Sequence, residues 1–424
     1  MSRRAFENIA LYLIFVAVYC FQLDILPPKP ELFEAWVDLY LPLLDKPWDQ
    51  MMKEFITIRP NDSNQSVNAP VWLIIIKISL SIFGNSLFAY RLPGVLLTAL
   101  APVLTAELVR RFLRKDLALW AGILVGAHQH VIGFARTGGY IGPTLSLLLG
   151  IILSASILAF EGRRKAWIPL VLCLAISPFF YATIRYLGMI GAAIVGIKFL
   201  TSREFRKHNT IPAACTVVFF AIVAFFLTER ANKEVAMMYI SARGEQFLLT
   251  DKTLAGGNQA ASLPPQFQVK GVLTEMVPER MLNVYDFYIR GKRFFNHRHQ
   301  QMHYDREWRA MQPWLLSLFL LGVARCIFQG ISNQRYLIPL GWSILAFLPL
   351  LVTTGISPNR MLLGIPADMF MMVLALFIPI DLATRFLPGR WIVVPRAIAC
   401  GLVLWFSYHS VSVYFADYIN YPNL

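Results

Sequence analysis

The sequence predicts an all-α integral membrane protein, a polytopic bundle of about eleven transmembrane helices. Three observations predict it. Of 424 residues, 57% are hydrophobic and only 15% are charged, with a mean hydropathy of +0.54. Apolar runs recur that approach the ~20 residues a helix needs to cross a hydrocarbon core. Lipid restricts spanning structures to helices and closed barrels, and the alternating ~10-residue segments of a barrel are absent.

The predicted spans are roughly 8–26, 92–109, 117–134, 142–160, 167–183, 186–200, 211–228, 313–330, 336–353, 361–380 and 392–416. The first has no small-residue cleavage site and reads as a retained span. With Arg3 and Arg4 inside, the clusters at Arg110–Lys115, Arg163–Lys165, Arg203–Lys207, Arg325–Arg335 and Arg385–Arg396 all fall on the same side, as the positive-inside rule requires. That agreement needs "PVWLIIIKISLSIFG", Pro70 to Gly84, not to cross. It is short, Lys77 interrupts it, and it reads as a helix in the outer interface. This puts the N-terminus in the cytoplasm.

Residues 27–91 then form a first outer loop with interfacial helices, and 229–312 a large outer loop marked by "LAGGNQAASLPPQF". The whole of 1–424 reads as a single membrane domain. The net charge of +14 sits in short clusters between spans, so no continuous basic face exists for nucleic acid. Cys20, Cys173, Cys215, Cys326 and Cys400 lie in or beside apolar runs with no Cys-x-x-Cys pair, and read as small hydrophobes.

Four phrases occur in a particular order: "IFGNSLFAYRLPGVLLTALAPVLTAELVRRFL", "WAGILVGAHQHVIGFARTGGYIGPTLSLLLG", "ISPFFYATIRYLGMIGA" and "GWSILAFLPLLVTTGISPNRMLLGIPADMF". Together they resemble polytopic sugar transferases of the GT-C type, nearest to the bacterial branch of the protein mannosyltransferase-like family (glycosyltransferase family 39-like). The resemblance implies a GT-C-like bundle. It implies transfer of a sugar from a polyprenyl-phosphate carrier to an acceptor at the outer face. An outer-loop carboxylate would act as general base or as ligand to a divalent metal, and basic side chains would hold the lipid phosphate.

Carried over residue by residue, the Asp-Glu-Ala-like motif after the first span is matched by Phe33, Glu34 and Ala35. Ala69 stands before Pro70 where a second acid is expected, and "RTGGYIGP" after Arg136 holds no acid. Glu34 and Asp38 are the catalytic candidates. Arg136, Arg185 and Arg360 are the candidates for the lipid phosphate, since a guanidinium can bond phosphate bidentately. The missing acids leave a second reading open: a catalytically inactive relative kept as a structural or lipid-binding subunit beside other membrane proteins.

Glu31, Glu34 and Asp38 would share one face of a helix begun near Pro30, where acids also suit the helix dipole. Asp24 is a lesser candidate. His299 and His303 are spaced for a metal on a helix, or belong to a polar juxtamembrane stretch. His128 and His130 are ionisable groups within a span. Asn61 and Asn64 fit the Asn-x-Ser pattern. Glu107 reads as an ion pair with Arg111 at i, i+4.

Overall fold

The structure is a computed structural model, and it describes residues 2–24, 44–51, 70–177, 188–230, 313–352, 362–386 and 388–420. Among these residues all regular structure is helical. Among the described residues, five stretches are long and apolar enough to cross a membrane: Leu87–Phe112, Ile141–Glu161, Leu315–Ser332, Ile365–Phe386 and Val393–Ala416. A sixth is the pair Lys115–Ala127 and Gln129–Arg136, bent by 57°. Helix is also found in the other expected spans, in shorter or more polar form. The chain is thus an integral membrane protein, while the count of eleven goes beyond what these lengths support.

Helix α1 (Arg3–Cys20) starts at Ser2, whose hydroxyl accepts the Ala5 N–H, a standard way to satisfy a free first-turn donor. Helix α2 (Pro70–Phe83) is the predicted non-crossing segment, with 14 residues. Helices α3 (Leu87–Thr98) and α4 (Leu100–Phe112) form one span, and α3 starts at Ser86, which accepts the Ala89 N–H. Helices α5 (Ala118–Ala127) and α6 (Gln129–Arg136) form the bent span. Helix α7 (Ile141–Ser156), α8 (Trp167–Ile176), α9 (Met189–Thr201) and α10 (Arg203–Arg230) follow. Beyond residue 312 come α11 (Pro313–Ser332), α12 (Leu337–Val352), α13 (Ile365–Leu376), α14 (Ile378–Phe386) and α15 (Val393–Asn420).

Helix α1 runs antiparallel to α3–α4. Its first turn meets the end of α4, its middle places the Tyr12 hydroxyl on the Leu96 carbonyl, and the turn that follows it meets Arg91 at the start of α3. Leu11, Phe15 and Tyr19 form its buried stripe. Phe15 lies against Gly126 of α5, where a Cβ would come within 2.4 Å of the ring. Small residues permit such close helix contacts in membranes.

Arg4, Arg110, Arg111, Arg114 and Arg325 are held in ion pairs near the start of α1 and the end of α4. Glu107 accepts from Arg4 Nε at 2.9 Å, Asn8 Nδ2 at 2.8 Å and Arg111 Nε at 3.2 Å. The expected Glu107–Arg111 pair is therefore present, inside a larger network. Arg111 continues to Glu161 at 2.9 Å, and Arg110 to Glu7 at 2.9 Å. Arg114 and Arg325 both donate to Asp381, which ties α14 to the N-terminal helices. Burial works against the Arg114 charge, but its bonds to Asp116 and Asp381 outweigh this and raise its pKa. All five cysteines are free thiols; Cys326 is buried and Cys215 exposed.

Candidate functional site

The opposite end of α1 is where the chain departs toward Glu34 and Asp38. The turn Phe21–Asp24 ends the helix, and a helix end leaves carbonyls without partners. Here the five carbonyls from Tyr19 to Leu23 each meet a donor. Arg136, the last residue of α6, donates from Nη1 to the Tyr19 and Phe21 carbonyls, both at 2.6 Å. Its Nη2 donates to the Gln22 carbonyl at 3.3 Å. The Leu23 N–H caps the Cys20 carbonyl at 3.1 Å. Arg91 Nη1 donates to the Leu23 carbonyl at 2.8 Å.

Both arginines are fully buried, at 0% exposure. Their positive charge at the carbonyl end of α1 also complements the helix dipole. Gln22 has φ +49°, a left-handed conformation uncommon for a side chain of this size. Phe415 and Tyr414 of α15 face the Arg136 guanidinium at 5.0 and 5.9 Å, a favourable cation–aromatic geometry. Asp24, at the end of the turn, is exposed.

A third buried cation holds the chain where it returns. Lys77 of α2 donates from Nζ to the Leu44 carbonyl at 2.6 Å and to the Lys46 carbonyl. Its ammonium also lies 5.3 Å from the centre of the Trp48 ring. Leu44, Met51, Trp72, Leu73, Ile76 and Tyr90 pack into a separate small core under this segment. That core is joined to the bundle by Trp72, whose Nε1 donates to the Gly138 carbonyl at 3.0 Å. Gly138 has φ +64°, and a Cβ there would meet the Tyr90 ring at 2.2 Å. "RTGGYIGP" therefore serves as a structural turn: Arg136 faces the α1 carbonyls, and Gly138 receives Trp72.

Of the residues expected in the site, Arg136 is the one placed here. Glu34, Asp38, Arg185 and Arg360 lie outside the described residues, as do Phe33, Ala69, Asn61, Asn64, His299 and His303. Among the described residues, no group of three or more His, Cys, Asp or Glu is arranged to hold a metal ion.

Two buried ionisable residues were not singled out by the sequence reading. Arg91 is one. Asp368, on α13, is the other; it is 2% exposed and accepts from Ser343 Oγ at 2.6 Å. Next to Ser343, Trp342 Nε1 donates to the Leu363 carbonyl at 2.7 Å. A charged letter within an apolar run was the available signal in both cases.

His128 has a local role. Its Nδ1 accepts the His130 N–H at 3.3 Å, so it caps α6 and marks the 57° break from α5. The two imidazoles stack with centres 5.4 Å apart. A cavity of about 70 Å³ opens beside the break, lined by His128, Gln129, Met369, Met372, Ser407 and His409 among others.

Residues 67–228 match the family described as dolichyl-phosphate-mannose-protein mannosyltransferase. No curated protein matches the chain. Two crystal structures of ArnT from Cupriavidus metallidurans, one bound to undecaprenyl phosphate and one in the apo state, are similar in fold. Each is 12% identical, with a TM-score of 0.51 over 98% of this chain and 75% of the other. The resemblance read from the sequence agrees with both findings: part of the chain matches this family's model, and the fold is similar to that of ArnT.

Proposed function

We propose that this GT-C type membrane protein transfers a sugar from a polyprenyl-phosphate donor to an acceptor at the outer face of the membrane. The membrane would be a bacterial inner membrane, with the N-terminus cytoplasmic. One observation carries the reading: nearly the whole chain superposes on a fold that, in ArnT, is seen with undecaprenyl phosphate bound.

The chemistry follows from what the transfer demands. The bond from the anomeric carbon to the phosphate oxygen breaks, and a bond to the acceptor oxygen forms. Glu34, or Asp38 nearby, takes the acceptor's proton. Negative charge grows on the departing polyprenyl phosphate, and Arg360 and Arg185 meet it through charge-assisted hydrogen bonds.

A second reading has its own support. Phe33, Ala69 and the acid-free "RTGGYIGP" stand at three positions where the resemblance leads one to expect acids. A Phe side chain takes no proton. On this reading the scaffold binds lipid or supports other membrane subunits without catalysis.

Transfer assays with a panel of polyprenyl-phosphate sugars separate the two. The enzyme reading expects activity in the parent protein and its loss in Glu34→Gln, with a smaller loss in Asp38→Asn. Each assay is run with and without a chelator, because the same carboxylates could serve as metal ligands. Unchanged transfer in Glu34→Gln would remove Glu34 as the base.

A further inference from the structure

We infer that Arg91, Arg136 and Lys77 are positioning residues that fasten both ends of the segment 25–43 to the helical bundle. The inference concerns residues that hold backbone, and its catalytic consequence rests on the function proposed above.

At the departing end, Arg136 and Arg91 take the carbonyls of Tyr19, Phe21, Gln22 and Leu23. At the returning end, Lys77 takes those of Leu44 and Lys46. All three cations are buried, at 0%, 0% and 8% exposure. A buried charge is costly unless hydrogen-bonded, and here the backbone supplies the bonds. The carbonyls in turn lose their partners if the cation goes. The contact is therefore sensitive in both directions.

The cations come from three different helices: α3, α6 and α2. Each end of the segment is thereby referred to the packing of the bundle. Gln22 shows that the departing end is shaped as well as held, since its left-handed φ of +49° lies inside the three-carbonyl grip of Arg136. Strained backbone persists where its surroundings over-determine it. Glu34 and Asp38 both lie between the two fastened ends in sequence. For Arg136 this differs from a role as a phosphate ligand. Its guanidinium fork is engaged with the α1 turn and faces Phe415 and Tyr414, leaving the phosphate to Arg185 and Arg360.

The test uses the full chain with its five cysteines replaced and spin labels at Asp24→Cys and Asp45→Cys, both exposed positions. Pulsed electron resonance in nanodiscs reads the distance between the two ends. We expect one narrow peak in the labelled parent, and its loss in Arg136→Gln and in Lys77→Met. The charge-preserving Arg91→Lys and Lys77→Arg should keep it, and they carry the test if a neutral variant does not fold. An unchanged peak in both neutral variants would overturn the inference.

Kinetics separate positioning from mere stability. Misplacing the acids should lower kcat about a hundredfold while the KM for donor stays within about twofold. Arg136→Lys should recover part of the loss. A raised donor KM with kcat retained would return Arg136 to the phosphate and overturn its positioning role. A lost peak with unchanged kcat would overturn the positioning of catalytic groups. If the parent transfers sugar from no donor, the proposed function fails, and the distance measurement still decides whether the ends are fastened.

Discussion

Arg136 Nη1 donates to the Tyr19 carbonyl at 2.6 Å, across 117 residues of chain. This contact joins the end of the bent span to the end of the first helix. Arg136→Ala strips three carbonyls of their donor at once. Charged hydrogen bonds contribute about 1.5–3 kcal/mol each and overlap when shared, so a loss of about 3 kcal/mol or more is expected. It should appear as a large drop in the thermal unfolding midpoint in detergent.

Gly138→Ala tests the turn beside it. A Cβ at this position meets the Tyr90 ring, and the backbone is left-handed at φ +64°. The strain is expected to cost about 1–3 kcal/mol. The Trp72 bond to the Gly138 carbonyl would be displaced with it, so tryptophan fluorescence should shift in the folded variant.

Ser343 and Asp368 form a buried pair between α12 and α13. Asp368→Asn keeps an acceptor and should cost less than about 1 kcal/mol, whereas Asp368→Ala leaves a buried hydroxyl unsatisfied and should cost about 1–3 kcal/mol. Adding Ser343→Ala to Asp368→Ala should cost less than the sum of the singles. Thermal unfolding of the four proteins completes that cycle.

The charged end offers a contrast in burial. Glu107 sits at the centre of the network, with an 11% exposed side chain, while its partner Arg4 is 43% exposed. Removing the acid leaves several cations uncompensated, a loss of about 3 kcal/mol. Arg4→Ala removes a half-solvated partner and should cost less than about 1 kcal/mol. The same unfolding assay ranks them; equal losses would contradict this account of the network.

The sequence carried the membrane class and the order of the helices, because long apolar runs and basic clusters are local signals. It also carried the short helix at 70–83 and the Glu107–Arg111 pair, which are set by spacing within one helix. Long-range partners were less visible. Lys77 read as an interruption of an apolar run, but it holds carbonyls more than thirty residues earlier in the chain. Arg91 and Asp368 are not legible as paired groups in the sequence, because their partners lie 68 and 25 residues away. The place of Arg136 after a span is legible in the sequence, but only the folded chain shows which groups its fork meets. Glu34, Asp38, Arg185 and Arg360 rest on sequence reading alone, since they lie outside the described residues.

The most direct measurement is release of polyprenyl phosphate from a polyprenyl-phosphate sugar by the purified protein in nanodiscs. The account predicts release coupled one-to-one to glycosylated acceptor with at least one donor, and loss of both products in Glu34→Gln. No release from any donor by the parent protein, or equal release by Glu34→Gln, would contradict it.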